Sequence, residues 1–127
     1  MYCALLYIVS ALLIAGFAAA TSEPHAPEVT ETKKIDQEAK KAMDAVSQEI
    51  KVRAKVSNST VLNPVSYAKE KDYLGVVYPV YIVKIRLGAG QPERYVHAQI
   101  YHGIFDGKYY LERVKDAHRE DPFAYIF

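Results

Sequence analysis

Apolar residues change their spacing twice along this chain. From Tyr2 to Ala20 they run almost unbroken, with no charged residue. From Ile35 to about Lys55 they recur every third or fourth position, at Ile35, Ala39, Ala42, Met43, Val46 and Ile50. That spacing predicts an amphipathic helix with one apolar stripe. Lys33, Lys34, Asp36, Lys40, Lys41, Asp44 and Gln48 occupy its other side. Thr30 or Thr32 is expected to cap its start, and Ser57-Asn58-Ser59-Thr60 to end it. The stripe is narrow and alanine-rich, which suits a helix lying close on a sheet.

After Val61 the period becomes two. Tyr81, Val83, Ile85 and Leu87 alternate with Val80, Ile82, Lys84 and Arg86, so the two sets point to opposite faces of a strand. Gly88 to Pro92 is a turn. Val96, Ala98 and Ile100 alternate in the same way with Tyr95, His97, Gln99 and Tyr101. His102 to Gly107 is a second turn, with Asp106-Gly107 as its hairpin signal. A further strand runs from Tyr109 to about Lys115, and the aromatic ending Asp121 to Phe127 is expected to dock on the sheet. One helix followed by three or four strands on short turns predicts a two-layer α+β domain with an antiparallel meander.

Composition narrows the class. A chain of 127 residues makes one domain, and half of it is hydrophobic. Lys plus Arg number 16 and Asp plus Glu 15, so no basic face points to nucleic acid. The apolar run ending in Ala18-Ala19-Ala20 predicts a secretory signal over residues 1–20; a retained membrane anchor is the alternative, since the run is long enough to span a bilayer. Once the signal is cleaved, a secreted, extracellular protein with no membrane association is expected. Thr21 to Lys34, with two prolines and no apolar period, is expected to be a flexible arm ahead of a domain at 35–127. The one cysteine, Cys3, lies inside the signal, so the mature chain is free of disulfides and of any thiolate nucleophile. Of the chain's eleven tyrosines and four phenylalanines, the nine and three that lie beyond residue 20 are then expected to supply the core.

Little in the chain offers catalysis. His97 and His102, five apart, point to opposite faces of a strand and make a poor metal pair. Both are expected to face outward. His118 to Asp121 is expected to be a solvated turn. No phosphate loop, nucleophile elbow or triad is present, so neither an enzyme nor a bound cofactor or metal is expected. Asn58-Ser59-Thr60 is a glycosylation sequon in an expected surface turn.

From about Pro64 to Phe127 the chain resembles the stefins, the disulfide-free type 1 cystatins. Pro64-Val65-Ser66-Tyr67, Tyr81-Ile82-Val83-Lys84-Ile85, Tyr95-Val96-His97-Ala98-Gln99-Ile100-Tyr101 and the ending Leu111 to Phe127 carry the likeness, and the helix falls where the family has one. The resemblance implies a cystatin-like fold, one helix on a four- to five-stranded antiparallel meander. It also implies reversible inhibition of papain-like cysteine peptidases by a monomer. The family's wedge is an N-terminal arm, a first hairpin loop of the form Gln-x-Val-x-Gly and a second hairpin loop. Here the first loop falls on Gly75, Val76, Val77, Tyr78 and Pro79, and the second on Gly103, Ile104 and Phe105. Only Val77 agrees with the first-loop motif, and Lys69 to Asp72 is a rival for the loop tip. Pro79 is expected in the loop because it cannot donate to a central ladder. A signal segment also departs from a mostly cytosolic family. A cystatin-fold binding protein without protease inhibition is therefore the second expectation.

Overall fold

The computed structural model describes residues 28–123. The expected signal at 1–20, the first half of the expected arm (21–27) and the last four residues lie outside that range. Two short strands, β1 (Glu28–Val29) and β2 (Lys33–Lys34), precede two consecutive helices, α1 (Gln37–Ala45) and α2 (Ser47–Arg53). Four longer strands follow: β3 (Leu62–Lys71), β4 (Val77–Leu87), β5 (Tyr95–His102) and β6 (Tyr109–Ala117). They form one antiparallel sheet in the order β1-β3-β4-β5-β6, with β2 also paired to β3. The helices cover one face, so the domain is α+β with six strands, two of them only two residues long.

The helix begins later than the threonines suggested. Asp36 is the N-cap: its Oδ1 accepts from the Ala39 amide at 2.9 Å, while its Oδ2 accepts from the Tyr67 hydroxyl at 2.7 Å. Thr30 is committed elsewhere. Its amide donates to the Lys69 carbonyl and its Oγ1 accepts from the Lys69 amide. Residues 28–34 are thus partly zipped onto β3, where an unstructured arm was expected.

The single expected helix is broken at Val46, whose ψ of 18° leaves the helical range. It ends at Arg53. Lys55 turns left-handed at φ 59°, the Val56 amide reaches back to the Lys51 carbonyl, and the Lys55 amide reaches the Val52 carbonyl. That pair of bonds is a Schellman end, built on a lysine where glycine is usual.

The stripe does what its period implies. Ala39, Ala42, Met43, Val46 and Ile50 are buried against Tyr81, Val83, Ile85, Val96, Ala98 and Ile100. The alanines let the helix sit low on the sheet. Its first turn is pinned to the sheet by polar contacts, since Glu38 accepts from the Tyr81 hydroxyl and pairs with Lys69.

The outer face overturns one expectation. His97 does not face solvent; it is 2% exposed and stacks on Phe123 with ring centroids 5.0 Å apart. The chain after β6 folds back across this face. Lys84 Nζ donates to the Arg119 and Asp121 carbonyls at 2.7 and 2.9 Å, and Phe123 joins Ala68 and Ile82 in a second small core. The turn at His118 to Asp121 is therefore exposed on one side and holds a buried lysine on the other. Burial, with the nearby Lys84 charge, pushes the His97 imidazole down to about 4, and burial also lowers the Lys84 ammonium.

Candidate functional site

Strand directions gather three segments at one end of the sheet. β3 runs into the β3–β4 turn, and β5 runs into the β5–β6 turn in the same direction, because β4 lies antiparallel between them. β1 pairs Glu28 with Lys71, so the N-terminal strand begins beside the first turn.

The first turn is Asp72 to Val76, and Asp72 organises it. The Asp72 amide donates to the Val76 carbonyl at 2.9 Å, and the Gly75 amide donates to the Asp72 carbonyl at 3.0 Å. Asp72 Oδ1 accepts from the Leu74 and Val76 amides, both at 2.9 Å. Its Oδ2 accepts from the Tyr78 hydroxyl at 3.4 Å, and the Asp72 charge pushes that phenol up. Gly75 has φ 85°, a conformation that a side chain strains. With its polar groups turned inward, the turn shows solvent Tyr73, 84% exposed, and Leu74, 73% exposed.

The second turn uses the same chemistry. Asp106 Oδ1 accepts from the Lys108 amide at 2.9 Å, and its Oδ2 accepts from the Tyr110 hydroxyl. The tyrosine bond holds the Asp106 carboxyl below the usual carboxylate range. The Gly103 amide donates to the Lys108 carbonyl at 2.8 Å; Gly103 is buried, and a Cβ there would overlap Asp106 Oδ1. Ile104 and Phe105 stand at the apex, 68% and 97% exposed.

The structure brings together some of the expected loop residues and separates others. Gly103, Ile104 and Phe105 lie in the second turn, and Gly75 and Val76 in the first. Val77, Tyr78 and Pro79 do not; they open β4. Pro79 is accommodated in the strand by a bulge: Lys71 pairs with Val77 and Lys69 with Tyr81, leaving three β4 residues opposite one on β3. The rival tip is also displaced, since Lys69 to Lys71 belong to β3. The apex residues Tyr73 and Leu74 were missed, as was the part that Asp72 plays in holding them. Their signal was present, because Asp at the first and Gly at the fourth position of Asp72-Tyr73-Leu74-Gly75 is a β-turn pattern. Asn58 is exposed in the turn after α2, close to the start of β3 and so at the sheet's other end.

The site can bury apolar surface on a shape held by hydrogen bonds. Among the described residues no group of three His, Cys, Asp or Glu is placed to hold a metal, and no helix is long and apolar enough to cross a membrane. No known protein family matches this chain, and no curated protein matches it.

Proposed function

We propose that this protein is a secreted, reversible inhibitor of papain-like cysteine endopeptidases, with a cystatin-like fold and no catalytic activity of its own. The observation that carries the proposal is the convergence at one sheet end of the start of β1 with two turns that expose Tyr73, Leu74, Ile104 and Phe105. Such a front suits a cleft. The apolar tips supply the contact area, and the internal bonds of Asp72 and Asp106 mean that little entropy is lost on docking. In this reading the tips fill the cleft without reacting with the enzyme's thiolate, so occupation of the cleft is non-covalent. The test is competition. Inhibition of papain by the protein should be relieved by excess substrate, and papain with an alkylated catalytic cysteine should still be bound. Inhibition that demands a free thiolate would contradict the wedge.

One observation favours a second reading, a cystatin-fold binding protein for another partner. Val77 to Pro79 lie in β4, so the first turn presents Tyr73-Leu74-Gly75 in place of the Gln-x-Val-x-Gly apex. Binding to a folded partner without any peptidase inhibition would select that reading.

A further inference from the structure

We infer that Phe123, near the end of the chain, is a positioning residue for the N-terminal strand β1. As a statement about binding it rests on the proposed wedge, in which β1 carries the arm. As a statement about β1 it stands on the packing alone.

β1 is two residues long at the edge of the sheet, held by the pairs Glu28–Lys71 and Val29–Glu70 and by the Thr30 amide on the Lys69 carbonyl. Edge segments this short are the first to open. The apolar side chain of β1 is Val29, half-buried against the cluster of Ala68, Ile82 and Phe123. Val29 rests on the cluster of three, and the Phe123 ring is the largest of its side chains. Phe123 is seated in turn. It stacks on His97, lies under the Lys84 ammonium at 5.4 Å, and follows the turn whose carbonyls Lys84 holds. The chain after β6 is thus a clip that carries Phe123 into the cluster on which β1 rests. Ordering a binding segment in advance removes part of the entropy lost when it docks.

The test compares Phe123→Ala and Phe123→Leu with the parent, using the full chain expressed through a secretory pathway. Amide exchange at Thr30 reads β1, and exchange at Ala98 in the middle of β5 reads the whole sheet. Phe123→Ala should speed exchange at Thr30 by about tenfold more than at Ala98, and Phe123→Leu should restore most of the protection. Unchanged Thr30 exchange, or equal acceleration at both sites, would overturn the inference. A second arm measures papain inhibition in a cycle with Val29→Ala. If Phe123 acts through Val29, each single change should weaken inhibition by about tenfold and the pair by well under the hundredfold product. The full product would mean that the two act independently. Should the parent not inhibit at all, the proposed function fails, and the exchange arm alone decides the role of Phe123.

Discussion

The helix-facing side of the sheet buries Tyr81, Val83, Ile85, Val96, Ala98 and Ile100 under α1 and α2, whereas the outer side buries His97 and Lys84 beneath the segment from Arg119 to Phe123. The first side is dry because its residues are apolar. The second is dry because a distant piece of chain lies over residues that would tolerate water. One consequence is energetic. Apolar burial is insensitive to pH, while a buried imidazole beside a buried ammonium is not. Another concerns function, since the outer side is where the N-terminal strand finds its support.

That contrast can be broken in several ways. Ile85→Ala on the helix side should cost the most, about 2–5 kcal/mol, because it removes a fully buried side chain from the main core. Urea unfolding at pH 7 measures it, and the loss should be the same at pH 5.

The outer side should fail in acid instead. His97 is held neutral in the folded state, near 4 against an ordinary 6.5, so the unfolded chain takes up the proton first. Stability attributable to His97 is therefore complete above pH 6.5 and declines as pH falls towards 4, by about 3 kcal/mol at most. Urea midpoints across that window check this, and His97→Leu should lose that part of the slope. Asp36 and Glu38, both lowered by hydrogen bonds, contribute their losses further into acid.

Lys84→Met sharpens the same contrast. It strips the Arg119 and Asp121 carbonyls of their donor, at a cost of about 1 kcal/mol. It also removes the positive charge nearest His97, so the imidazole should titrate at higher pH, as read by NMR. The smallest effect on stability is expected at the turns. Gly103→Ala displaces the Asp106 carboxylate from the Lys108 amide and should cost no more than about 1 kcal/mol, while loosening the Ile104–Phe105 apex. Exchange at the Lys108 amide reports the loosening.

The two sides also differ in how far they were legible. The stripe from Ala39 to Ile50 and the alternation on β4 and β5 name the helix-facing core outright, because period and burial coincide there. His97 belongs by period to the other face, and nothing in a period of two says whether a later segment covers that face. The aromatic ending was expected to dock on the sheet, but not on a particular face; of that ending, Asp121 to Phe123 are described. At the candidate site the second turn was legible through Asp106-Gly107. The first was displaced by three residues, because family likeness drew attention to Val77 while the local turn pattern centred on Asp72 to Gly75. The helix cap was missed for a similar reason: both threonines looked suitable, and only the pairing of residues 28–34 with β3 removes them from contention.

The most direct test of the proposed function is a titration of active papain with the protein, beside a Leu74→Asp, Phe105→Asp variant shown to be equally folded. The account predicts reversible inhibition by the parent that the variant loses by at least about a hundredfold, since both charges would have to be buried in the cleft. A folded parent that leaves papain and related peptidases fully active would contradict it, and would direct the same exposed tips towards a partner of another kind.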